Sequence, residues 1–220
     1  MPDLEHYFKP FRTEVIGANT RFRTPYGFKK LRYFDWVASG RLYQPVEDKI
    51  ARVFGPFVAN THTEASEAGS RMTLCYKHAH DSIKKHVHAG PNDVIITAGS
   101  GMTTVVNKLQ RILSLRTGNK RIRHDCVELS ERPVVFITHM EHHSNQTSWY
   151  ETIADVVMIP PSGSLLVDTD ALEKSLLQYA DRRFKIGAFT ACSNVTGIIT
   201  PYHQMAAIMH KHQGLCFVDF

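Results

Sequence analysis

Residues 186–219 read IGAFTACSNVTGIITPYHQMAAIMHKHQGLCFVD. The runs Ile186–Thr190 and Leu215–Asp219 are short and almost wholly apolar. Between them Pro201–Gln213 has helical character, with Pro201 at its start and Gly214 just past its end, where those residues mark helix boundaries. Short apolar runs separated by amphipathic helices describe strands covered on both faces, which is the condition of a mainly parallel sheet. The expected fold is therefore α/β, a mainly parallel wound sheet flanked by helices.

Working outward, the pattern repeats. Val134–Thr138 (VVFIT) and Val156–Ile159 (VVMI) are further strand candidates. A short helix is expected over Asn145–Ile153, and another over Asp168–Tyr179, with Asp168 or Thr169 as its N-cap. Val94–Thr97 (VIIT) reads as a strand. Gly101–Leu115 follows it with helical spacing at Val105, Leu109 and Leu113. Upstream, Glu64–Val87 reads as a long helix whose apolar stripe is Met72, Tyr76, Ala79, Ile83 and Val87, stopped by Gly90-Pro91-Asn92. Pro45–Phe54 reads as a helix with Pro early and acids in its first turn. Residues 1–30 show little periodicity and read as an N-terminal arm, leaving 31–220 as the large domain.

The chain has 220 residues, 43% of them apolar and 21% charged, enough for one sizeable core and too balanced for bulk disorder. No run of apolar residues is long enough to span a membrane, and the acidic, aromatic start MPDLEHYFKPFR lacks a secretory pattern. Four scattered cysteines, Cys75, Cys126, Cys192 and Cys216, form no CxxC pair. They read as reduced thiols in a cytoplasmic protein, with Cys192 a small buried residue. The net charge is +5. The basic stretch Arg111–Arg123 lacks the interleaved aromatics of a nucleic-acid surface and reads as a helix end and a solvated loop. No nucleic-acid or membrane partner is expected.

In wound sheets, ligands sit at the carboxyl ends of the strands. After VIIT come Ala98-Gly99-Ser100-Gly101-Met102-Thr103, small residues opening a helix. Free amides and the helix dipole favour an anion there, and a structural turn capped by serine is the competing reading. After VVFIT comes His139-Met140-Glu141-His142-His143. His139, His142 and His143 raise a metal-dependent hydrolase as an alternative, but HxxHH is not the helical HExxH pattern. A flat imidazole there is also suited to stack on an aromatic ligand and move protons. After IGAFT comes Cys192-Ser193-Asn194, where Asn194 is either a ligand donor or a turn residue. Asp219 closes an apolar strand and must be paired or solvated; a protonated ring nitrogen is one such partner.

Three blocks in order carry a family resemblance: YFDWVASG (Tyr33–Gly40), MEHHSNQTSW (Met140–Trp149) and CSNVTGIITPYHQMAAIMHKHQGLCFVD (Cys192–Asp219). The chain resembles the fold-type I pyridoxal-phosphate enzymes of the class V aminotransferase and cysteine desulfurase family, from about Tyr33 to Phe220. The resemblance implies a truncated transferase-like large domain and pyridoxal 5′-phosphate as cofactor. Ser100, Gly101 and Met102 match the phosphate turn. His142 matches the ring-stacking, proton-moving residue, Asn194 the residue near the phenolic oxygen, and Asp219 the partner of the pyridine nitrogen. Ala38, Ser39 and His62 lie in segments similar to those at the substrate mouth. The family's Schiff-base lysine lies downstream of that aspartate, so the covalent lysine is expected outside this chain, and none of the four cysteines matches the desulfurase nucleophile. The implied activity is that of a desulfurase, selenocysteine lyase or aminotransferase acting on a small amino acid as a homodimer. A catalytically incompetent fragment or non-catalytic binding module is the alternative.

Overall fold

The computed structural model describes residues 3–36, 39–99, 101–116 and 127–220. The chain divides into two compact units, Met1–Ile95 and Ile96–Phe220. Among the described residues no helix is long and apolar enough to cross a membrane.

The first unit has more regular structure at its start than an arm. Helix α1 (Leu4–Thr13) is capped by Asp3, whose side chain accepts the Glu5 N–H at 3.0 Å. It buries none of its residues. Tyr7, Phe8 and Phe11 instead stack on one another along its surface. A hairpin of β1 (Arg21–Thr24) and β2 (Gly27–Lys30) follows, its turn closed by Gly27 at φ +84°. Helix α2 (Gln44–Lys49) begins with Pro45 and runs on through wider turns at Ile50–Phe54 and tighter ones at Gly55–Phe57. Helix α3 (Glu67–His86) starts where Ser66 accepts the Gly69 N–H at 3.1 Å and ends in Lys84, Lys85 and His86, basic residues that the helix dipole favours there. Of its expected apolar stripe only Met72 and Tyr76 are half-buried; Ala79, Ile83 and Val87 are exposed. The tight turn at Gly55–Phe57 packs against this helix near its start, where Phe57 lies under Arg71, and leaves the later turns uncovered.

The second unit is the expected wound sheet. Strands β3 (Val134–Ile137), β4 (Asp155–Met158), β5 (Lys185–Thr190) and β6 (Leu215–Asp219) run parallel in the order β4-β3-β5-β6. Side chains alternate across the sheet, so each strand feeds two cores. Val135, Ile137, Ile186 and Ala188 pack with Val106 of α4 (Met102–Ile112) and Trp149 of α5 (His143–Tyr150). Val134, Phe136 and Phe189 pack on the other face with Leu172 and Leu176 of α6 (Thr169–Gln178) and Met205 and Met209 of α7 (Tyr202–Lys211). Gly187 is required at this second face, because a Cβ there would sit 2.5 Å from the Phe189 ring and 2.9 Å from Met209. Asp168 caps α6, accepting from the Asp170 and Ala171 amides.

One expected strand is absent. Val94–Thr97 has no ladder partner among the described strands and forms no strand, with Val94 79% exposed. An apolar run supplies side chains for a sheet, but only a neighbour supplies the hydrogen bonds. The basic stretch is described only to Arg116; the rest of Arg111–Arg123 lies outside the described residues.

Candidate functional site

The carboxyl end of β6 meets a cavity of about 210 Å³ walled by α4, α5 and β6, with Met102, Val105, Leu109, Asn145, Phe217 and Asp219 among its lining. Asp219 is 9% exposed and its side chain receives no hydrogen bond from the described residues. Burial pushes its carboxyl up from the usual range, and the nearby His142 pulls it partly back. Its position is fixed by register: Asp219 pairs with Thr190 across β5–β6, and its carbonyl accepts the Ala191 N–H at 2.7 Å.

His142 is the N-cap of α5. Its Nδ1 accepts the Ser144 backbone N–H at 3.2 Å, and Ser144 Oγ lies 2.7 Å from the same nitrogen. Because that nitrogen is an acceptor, a neutral His142 carries its proton on Nε2. The ring is exposed, as is that of His143, but His142 is the one whose charge reaches Asp219.

The turn entering α4 has the expected small residues. Gly99 holds φ +54°, and a Cβ there would run into Thr104 at 2.7 Å. Gly101 is the N-cap, makes no side-chain cap bond, and a Cβ on it would meet open space. The first-turn amides of α4 thus have no side-chain cap from Gly101, and helix-start amides of that kind favour an anion. Ser100 and Ala38 lie outside the described residues.

Asn194 sits in the loop after β5, where Cys192 bridges Ile199 and Ser193 Oγ accepts the Val195 and Thr196 amides. Its side chain makes no hydrogen bond to a described residue, and it does not line the cavity. Cys192 is exposed rather than buried, although its neighbours Ala191 and Ser193 are buried. Ser39 and His62 belong to the first unit. Ser39 Oγ lies 3.2 Å from Asp35 and 2.5 Å from the Tyr33 hydroxyl. The His62 backbone N–H donates to Thr73 Oγ1 at 3.0 Å, and its ring meets Tyr76 edge-on. The three-histidine metal alternative finds no converging ligand set among the described residues; His139 Nε2 is 2.9 Å from the Leu165 carbonyl.

The structure also assembles residues that the sequence reading left without a role. Glu141, Asn145 and Trp149 form a buried chain of hydrogen bonds, the last two in the cavity wall. Their spacing of four and four, from just before the N-cap of α5 onto the helix itself, is the signal that would have found them.

Comparison with known proteins agrees with this architecture. The family model for class-V aminotransferases matches residues 32–220. A probable cysteine desulfurase of Halalkalibacterium halodurans is 27% identical over 193 residues, 86% of this chain and 44% of that protein. A probable cysteine desulfurase of Halobacterium salinarum is 26% identical over 216 residues, 96% of this chain and 48% of that one. The apo structure of a cysteine desulfurase from Thermococcus onnurineus NA1 has a TM-score of 0.70 at 16% identity, covering 96% of this chain and 47% of that chain. The chain thus spans about half the length of the curated relatives it matches. It belongs to the class-V aminotransferase family, whose cofactor is pyridoxal 5′-phosphate.

Proposed function

We propose that this chain is the cofactor-binding portion of a pyridoxal-phosphate-dependent enzyme that acts on a small amino acid, of the cysteine desulfurase or selenocysteine lyase type. The observation that carries the reading is Asp219, a buried carboxyl with no donor among the described residues, at the end of a cavity that also reaches the start of α4. A protonated pyridine nitrogen is the donor such a carboxylate lacks, and the uncapped turn at Gly101 suits a phosphate.

When bound, the cofactor supplies an electron sink for the bonds of the substrate's α-carbon. The chain's own residues do the rest. Ser100, Gly101 and Met102 hold the phosphate, and Asp219 keeps the ring nitrogen protonated. His142, with Nδ1 engaged by Ser144, offers its ring face for stacking and Nε2 for moving a proton. Asn194, whose amide is unengaged among the described residues, is assigned the phenolic oxygen. The desulfurase type is preferred because the curated relatives it matches carry that name.

The test is an assay of the full natural polypeptide, supplied with pyridoxal phosphate, against cysteine, selenocysteine and a panel of other amino acids. Sulfide or selenide release well above free cofactor is expected. Turnover no faster than free cofactor on every substrate rejects the enzyme in favour of a non-catalytic binding module.

A further inference from the structure

Glu141 is a buried acid. It follows β3, is 8% exposed, and forms no ion pair among the described residues. Both its oxygens are met by donors. Oε1 accepts the Thr138 backbone N–H at 3.2 Å and the Thr138 hydroxyl at 2.6 Å. Oε2 accepts Asn145 Nδ2 at 2.7 Å, and the Thr190 backbone N–H also serves the carboxylate. Burial raises the proton affinity of this group and the four donors oppose that rise, so they are the interactions matched to the charged form.

The direction of the chain is set from its far end. The Trp149 indole N–H can only donate, and it donates to Asn145 Oδ1 at 3.0 Å. Asn145 must therefore turn its Nδ2 toward Glu141, and Glu141 must accept. A glutamine at 141 has one acceptor too few, since its amide nitrogen would face either Asn145 Nδ2 or the Thr138 N–H. The partners lie on three elements: Thr138 just past the end of β3, Thr190 at the end of β5, and Asn145 in the first turn of α5. His142 is the next residue, and Asn145 and Trp149 line the cavity that Asp219 closes.

We infer that Glu141 is a positioning residue of this site: its carboxylate ties the first turn of α5 to the ends of β3 and β5, and so sets the His142 imidazole and the Asn145 wall relative to Asp219. The kinetic consequence rests on the cofactor reading above; the structural consequence does not.

The test compares Glu141→Gln and Thr138→Val with the wild type in the full natural polypeptide, using two readouts. The first, taken without cofactor, is the ¹⁵N spectrum of the histidine rings. Wild-type His142 should show the Nε2–H tautomer, and Glu141→Gln should lose that preference, with Thr138→Val shifted less in the same direction. The second, with pyridoxal phosphate, is the split between kcat and KM together with the visible dichroism of the bound cofactor. Glu141→Gln should lower kcat by about tenfold to a hundredfold, leave KM within about twofold, and weaken the dichroism. A folded Glu141→Gln protein with wild-type tautomer and dichroism overturns the inference. Should Glu141→Gln fail to fold, Thr138→Val decides: a shifted His142 spectrum supports the inference and an unchanged one overturns it. A wild type that binds no cofactor sinks the functional reading alone, since the ring spectra still decide the role of Glu141.

Discussion

The Ser144 backbone N–H donates to His142 Nδ1 across 3.2 Å, so the residue assigned to stacking and proton movement is also the cap of its own helix. The two roles separate by substitution. His142→Ala removes both and should destabilise the protein by about 1 kcal/mol. His142→Asn keeps a good cap, should recover most of that stability, and should remain as catalytically impaired as the alanine variant. Denaturant titration beside a turnover assay checks both outcomes.

At the opposite end of the sheet, Arg182 is nearly buried and bonds Asp155 Oδ2 at 2.7 Å and the Arg132 carbonyl at 2.8 Å. Asp155 keeps Arg132 at 3.6 Å when Arg182 is lost. Arg182→Met should cost about 2 kcal/mol through its two lost hydrogen bonds, with little dependence on salt because the guanidinium is buried. Equilibrium unfolding in low and high salt measures this.

The thiols should differ sharply. Cys192 is exposed, whereas burial pushes the Cys216 thiol up to about 11. The thiolate is the reactive form, so iodoacetamide at neutral pH should modify Cys192 well before Cys216 in the native protein. Peptide mass spectrometry against time resolves the order.

Asp219 also predicts a pH dependence. Its carboxyl is raised above the ordinary 3.8 in the folded protein, so the folded chain holds this proton more tightly than the unfolded one. The resulting stability is fully present below 3.8 and is lost as pH rises through the raised value. Asp219→Asn should remove that step and leave the cofactor-free protein up to about 1 kcal/mol more stable at neutral pH. Unfolding curves across the acid range, with and without the substitution, report it.

Much of the second unit was legible because its signals are local. Apolar runs at Val134–Thr138 and Ile186–Thr190, the Asp168 cap and the Pro201 start all act within a few residues. Val94–Thr97 carries the same kind of run yet forms no strand, because pairing depends on a distant neighbour. Helix α1 escaped notice because its aromatics stay on the surface and mark no buried face. Of the candidate site, Gly101, Met102, His142 and Asp219 stood out by their places at or just after short apolar runs. Glu141 did not, since a carboxylate beside histidines reads as a solvated or metal-binding group until Thr138, Thr190 and Asn145 are seen to enclose it.

The central claim, that the cavity closed by Asp219 holds pyridoxal phosphate, is tested most directly by Trp149, one of two tryptophans in the chain and part of the cavity wall. In a Trp36→Phe form of this 220-residue chain its fluorescence is the sole tryptophan signal. Titration with pyridoxal phosphate should quench that signal saturably, and adding Asp219→Asn should weaken the Kd at least about tenfold, the loss expected for an interaction of about 1.4 kcal/mol. No saturable quenching, or the same Kd with and without the Asp219 carboxylate, would contradict the account.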